Sequence, residues 1–202
     1  NGHLYPHVLD ITDSSATRAV INAMVSNLGP PDLAVLNAGT HIPVIAADLN
    51  AEPFRQLMET NVMGTVYGLT NLLPIMRRRG SGHIAVVSSL AGYRGLPTSA
   101  AYGASKAALI NMCEALHPEV DAMGIKLQVI NPGFVATPLT DQNDFKMPFL
   151  VSVDKATDHI MRGLASDRFE VSFPRRFALI MKVLRILPDP LFFALTRHMI
   201  KL

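Results

Sequence analysis

Short apolar runs rich in β-branched residues recur along this chain, and each is followed by a longer stretch whose apolar residues repeat every three or four positions. That alternation is the pattern of parallel strands joined by crossover helices, an α/β architecture. The runs at 7–9, 33–36, 83–87 and 126–130 read as strands. After the first, Asp13 or Ser14 can cap a helix carrying Ala16, Val20, Ala23, Met24 and Leu28 before Gly29-Pro30-Pro31 stops it. A second helix is expected from near Asn50, with Pro53 in its first turn, carrying Phe54, Leu57, Met58, Val62, Val66, Leu69, Leu73 and Met76 on one stripe. It closes at Arg77-Arg78-Arg79-Gly80, where the helix dipole favours cations without any need for a phosphate ligand. A third is expected from about Ser99 to Met123, bent or interrupted at Pro118.

Each strand runs into a cluster of small or polar residues: Asp10-Ile11-Thr12-Asp13, Asn37-Ala38-Gly39, Ser88-Ser89 and Asn131-Pro132-Gly133. Open parallel sheets bind ligands at the carboxyl ends of their strands, so these four clusters are expected to line one crevice. Within reach of it, Tyr102 and Lys106 stand four apart on the third helix and so share a face. A phenol with a reference pKa near 10 is a poor base, but a neighbouring ammonium favours its ionised form. Alone, this spacing is common on exposed helices. Here Ser89 leaves a strand end thirteen residues before Tyr102, and Asn61 sits inside the preceding helix, where a buried amide without a task costs stability.

These ordered motifs, from Asn37-Ala38-Gly39 through Asn61, Ser89, Tyr102-x-x-x-Lys106 and Pro132-Gly133 to Thr137, resemble the short-chain dehydrogenase/reductase family between about Val8 and Thr140. The resemblance implies a Rossmann-like doubly wound parallel sheet with flanking helices and a catalytic group of Asn61, Ser89, Tyr102 and Lys106. It implies NAD or NADP as cofactor and an alcohol or carbonyl as substrate. In that scheme Tyr102 passes the proton, Ser89 holds the substrate oxygen, Lys106 lowers the pKa of Tyr102 and holds the nicotinamide ribose, and Asn61 holds a relay water. Pro132, Gly133, Val135 and Thr137 fix the carboxamide; Asn37, Ala38 and Gly39 form the adenosine-side turn; Asp10 and Ile11 meet the adenine. Ser88 should face away by strand alternation and serve structure. His41, His83, His117 and His159 lack paired metal-ligand spacing, so no metal site is expected.

The family's opening strand, its Gly-rich pyrophosphate turn and its second strand have no counterpart in the 202 residues. In the sheet order 3-2-1-4-5-6 this would leave the third strand two places from the fourth, so we expect these residues to belong to a longer polypeptide and to be inactive by themselves. A cofactor-less binding or scaffold protein that keeps the fold is the alternative function.

Composition separates two regions. Hydrophobic residues make up 49% and charged residues 17%, as in a packed domain, with a net charge of only +2 that gives no chain-wide footprint for nucleic acid. Six basic residues and one acid fall after Phe173, so residues 1–172 read as the partial oxidoreductase domain and 173–202 as a basic amphipathic helical tail. The tail's apolar positions, Phe177, Ile180, Met181, Leu184 and Leu187, then Leu191, Phe192, Leu195, Met199 and Ile200, are expected to pack on the domain or a neighbouring subunit; the alternative is an anionic membrane surface. Residues 145–150 are apolar enough to line a pocket for a lipophilic substrate. The lone Cys113 fits a reducing, cytoplasmic setting, and no apolar run reaches the roughly 20 residues of a membrane span. Relatives that the chain resembles pair through the helices holding Asn61 and Tyr102, which implies a homodimer or homotetramer with Val66, Leu73, Leu109 and Met112 as outward candidates.

Overall fold

The computed structural model describes residues 3–140 and 147–199. Helix α1 (Ser14–Leu28) starts where the Asp13 carboxylate accepts from the N–H groups of Ser15 and Ala16, and ends at Gly29, whose φ of 85° favours glycine. Strands β1 (Leu33–Leu36), β2 (Gly82–Val87), β3 (Ile125–Pro132) and β4 (Glu170–Phe173) form one parallel sheet in that spatial order. Its register sets Val35 beside Ala85, Ala85 beside Gln128, and Val129 beside Glu170. Parallel neighbours need crossovers, and the helices α3 (Gly64–Arg79), α4 (Ala100–Ala122) and α5 (Val153–Leu164) provide them.

The alternation of side chains along β2 and β3 divides the core. Ile84, Val86, Ile125, Leu127 and Val129 join Leu69, Met76 and Leu109 in one cluster, while Ala85, Ile130, Val171 and Phe173 meet Ala156 of α5 in a second. At Gly163, α5 comes so close to β4 that a Cβ there would stand 2.3 Å from Val171 Cγ1. Arg79 explains one of the three helix-end arginines: it donates to the carbonyls of Pro30 and Pro31 and pairs with Asp32 at 3.0 Å, clamping the loop before β1.

Several expectations need correction. Residues 7–9 form no strand and pair with none among the described residues, and Val8 is fully exposed; a segment without a neighbour has no ladder to join. The second helix is not one rod: α2 (Glu52–Leu57) passes into a π-helical turn (Met58–Met63) and only then into α3. Pro118 lies inside α4 and does not interrupt it, with Cys113 and Val120 on either side buried in the core. Leu109 does not face outward; it is buried against the sheet, whereas Val66, Leu73 and Met112 are half-buried. β4 and α5 are not among the elements expected from the sequence pattern.

The tail forms two helices, α6 (Arg175–Ile186) and α7 (Asp189–Arg197). Phe177, Ala178 and Met181 enter the core, and Phe192 is buried under the guanidinium of Arg94, 4.4 Å from the ring. Glu170 of β4 accepts from Tyr93, from Asn131 at 2.9 Å and from Lys182 at 2.5 Å, which ties α6 to the sheet.

Candidate active site

Asn37, Ala38 and Gly39 leave the end of β1 exposed and small. Gly39 is where the crevice closes: a Cβ there would lie 3.1 Å from Asn61 Oδ1 and 3.4 Å from Lys106 Nζ. Residues from three separate elements therefore meet at one point. Asn61 reaches it from the π-helical turn, a distortion that recurs at functional sites because it re-aims side chains a regular helix would direct elsewhere.

The Asn61 side chain is fully buried and committed to protein partners. Its Oδ1 accepts from Thr40 N at 2.8 Å, and its Nδ2 donates to Thr40 O at 3.0 Å and to Ser105 Oγ at 2.9 Å. Ser105 in turn donates to the Tyr102 carbonyl at 2.8 Å, so one amide fixes both the turn after β1 and the first turns of α4. Both amide hydrogens and one lone pair of Oδ1 are in use among the described residues. Nothing in the linear pattern distinguished Ser105, one residue before Lys106, from any other small helix residue.

Lys106 is 4% exposed. Its Nζ donates to Val87 O at 3.1 Å, and burial pulls its pKa down to about 8. The ammonium lies 5.7 Å from the centre of the Tyr102 ring. Burial pushes the Tyr102 phenol above its ordinary value, and the Ser89 hydroxyl beside it pulls the other way. In this geometry the Ser89 hydroxyl favours the phenolate and burial disfavours it.

Ser89 begins a short 3-10 turn, accepts from Ala91 N at 3.1 Å and points its own hydrogen at Pro132 O over a long 3.4 Å. Ser88 faces away, as alternation requires, and donates to Lys106 O at 2.8 Å, anchoring α4 from beneath. Beyond β3, Gly133 N donates to Phe173 O at 2.7 Å and Val135 bridges to Val151. Thr140 Oγ1 donates to Val135 O and accepts from Thr137 N at 3.0 Å, so the Pro132-to-Thr137 segment is a braced turn at the mouth of the sheet. Phe134 and Phe149 both stack on Phe177 there. Phe145 and Lys146 lie outside the described residues.

Asp10 and Ile11 make no hydrogen bond to this group among the described residues. Asp10 is exposed, its carboxyl held below the usual range by Thr12, while Ile11 packs on Gly64 at the start of α3. His41 is not among the expected site residues, yet its ring stands edge-on to Tyr102 with centroids 4.8 Å apart. Burial holds His41 below its ordinary pKa, and its Nδ1 has no hydrogen-bond partner among the described residues. Its place two residues after Gly39 was the available signal.

The family model for short chain dehydrogenase matches residues 1–147. An uncharacterized oxidoreductase of Myxococcus xanthus is 40% identical over 194 residues, covering 96% of this chain and 77% of its own. Among solved structures, ElxO with NADP bound aligns with a TM-score of 0.71 and 26% identity over 81% of this chain and 75% of that one. A 7α-hydroxysteroid dehydrogenase solved with NADH and 7-oxo glycochenodeoxycholic acid aligns with a TM-score of 0.60 and 28% identity, over 63% of this chain and 50% of that one.

Proposed function

We propose, for a chain that belongs to the short-chain dehydrogenase family of oxidoreductases, that Ser89, Tyr102 and Lys106 move the proton in a hydride exchange between NAD or NADP and an alcohol or carbonyl substrate. The observation that carries this reading is the convergence of Asn61, Gly39 and buried Lys106 beside Tyr102.

In this reading the Tyr102 hydroxyl gives its proton to a carbonyl oxygen, or takes one from an alcohol, and Ser89 stabilises charge developing on that oxygen. Ser89 is suited to the task because its hydrogen is only weakly engaged by Pro132 O. Lys106, with a pKa near 8, carries its charge at neutral pH. One of its three N–H groups is on Val87 O, and two remain to hold ribose hydroxyls. That donor set, with the braced Pro132, Gly133, Val135 and Thr137 segment, fits the nicotinamide end of a dinucleotide, and the small exposed Asn37–Gly39 turn suits its adenosine side. When bound, the nicotinamide supplies or accepts the hydride. Asn61 positions the turn and the helix, and the second lone pair of its Oδ1 can hold a relay water.

The substrate is proposed to be lipophilic, since Phe134, Phe149 and Leu150 border the mouth of the sheet and a steroid ketone occupies one structural relative. Pairing of copies into a homodimer or homotetramer is part of the same reading; Leu73 and Met112 pack against the core of their own chain, which leaves half-buried Val66 as the outward candidate. The single buried Cys113 suits a cytoplasmic setting.

The test is Tyr102→Phe in the native-length protein, followed by turnover and by reduced-nicotinamide fluorescence. Turnover should fall at least about 100-fold with cofactor affinity nearly unchanged, because only the transferable proton is lost. Activity retained within that factor refutes the assignment.

A further inference from the structure

The tail has a second apolar face that the domain does not cover. On α6, Phe177, Ala178 and Met181 turn inward, while Leu179, Val183 and Ile186, spaced by four and three residues, form a stripe on the opposite side and are 65%, 50% and 81% exposed. Leu191, Phe193 and Leu195 of α7 are each more than half exposed as well. A helix apolar on both sides is ordinarily buried on both sides.

The cations on this unit are arranged unusually. Arg175 and Arg176 precede Leu179 by four and three residues, so they extend the same stripe, and they occupy the first turn of α6, where the helix dipole disfavours positive charge. No acid lies in that turn, and among the described residues no ion pair engages Arg175, Arg176, Arg185 or Arg197. An exposed apolar stripe and unpaired cations at a helix N-terminus both cost free energy in water, and one partner relieves both: a surface that is apolar below and anionic at its boundary.

We propose that the outward face of α6 and α7 docks on the headgroup region of an anionic lipid bilayer. Helices of 12 and 9 residues are too short to cross the hydrocarbon, and among the described residues no helix is long and apolar enough to span a membrane, so the contact is interfacial. The inner face holds the unit to the domain through Lys182 on Glu170 and Arg94 on Asp189, which leaves the outer face free to dock without unfolding the tail. A second copy of this chain fits less well, because a self-paired stripe would set arginines against a face whose only acid, Asp189, is already held by Arg94. The proposal stands apart from the redox reading, since docking needs no turnover.

The test is flotation of the full chain with phosphatidylcholine vesicles, with and without about a third phosphatidylglycerol, at low salt. The protein should float with the anionic vesicles and stay unbound with the neutral ones. Arg175→Gln with Arg176→Gln should lower the partition coefficient roughly 25-fold, taking about fivefold per arginine near an anionic surface. Leu179→Ser, Val183→Ser and Ile186→Ser together should lower it by more than about tenfold. Should that triple variant fail to fold, a fluorophore on Ile186→Cys reports the same contact by a blue shift on adding anionic vesicles. Equal unbound recovery with both vesicle types overturns the proposal. So does a triple variant that floats like the parent but sediments as a smaller species, which would make the face a contact between copies.

Discussion

Replacing Lys106 with methionine should make the nucleotide-free protein more stable at about pH 7 while removing its activity. Burial moves the Lys106 pKa from 10.5 to about 8, and at about 1.4 kcal/mol per unit the folded state carries a penalty of about 3 kcal/mol wherever the amine is charged in both states. Methionine keeps the apolar stem in its slot between Gly39 and Val87 and removes that penalty. It also deletes the hydrogen bond to Val87 O, worth about 1 kcal/mol, so the net gain should be about 1 to 2 kcal/mol. The sign with pH follows from proton counts. Between the folded pKa near 8 and the unfolded 10.5 the unfolded chain holds a proton that the folded chain has lost, so parental stability rises with pH relative to the variant. Urea melts of both proteins at about pH 7 and about pH 10 measure the difference, which should reverse in favour of the parent at the higher pH. A variant that is less stable at both values by the same amount would refute the reasoning, because it would mean the buried ammonium is fully compensated by its surroundings.

Two further outcomes are open to the same melts. Burial lowers the His41 pKa, so on acidification the unfolded chain takes up its proton first and stability is lost as pH falls from the unfolded value through the folded one. His41→Phe, which keeps an edge-on ring against Tyr102, should flatten that acid limb, leaving the part due to His83, whose pKa is lowered in the same direction; an unchanged limb would remove His41 from the account. Gly163→Ala should lose about 1 to 3 kcal/mol, since a Cβ 2.3 Å from the stiff Val171 outweighs the helix-propensity gain of at most about 1 kcal/mol. A rise in Tm would mean that α5 does not sit that close to β4.

What the sequence determined by itself is what depends on neighbours within a few residues. A cap at Asp13 or Ser14 for α1, which Asp13 supplies, the short apolar runs that became β1, β2 and β3, and the four-residue spacing that sets Tyr102 and Lys106 on one face are all local, and each stands in the structure as the pattern implies. The ordering of motifs around them was enough to identify the family. Ser88 could be separated from Ser89 because alternation along a strand is local too. Tertiary structure decided whatever depends on partners distant in the chain. Residues 7–9 have strand-like sequence but no neighbour to pair with among the described residues, and β4 is only four residues long and exists because β3 offers it a ladder. Asn61 needs a π-helical turn to reach Thr40 and Ser105, and no periodicity announces that turn. The pKa of Lys106 is set by how completely the fold removes it from water, which spacing to Tyr102 cannot supply. The tail's amphipathic pattern foretold helices, but which apolar residues the domain covers was decided by Glu170, Arg94 and the core that Phe177 and Met181 enter. A helix period specifies faces, and only a packed neighbour specifies which face meets water.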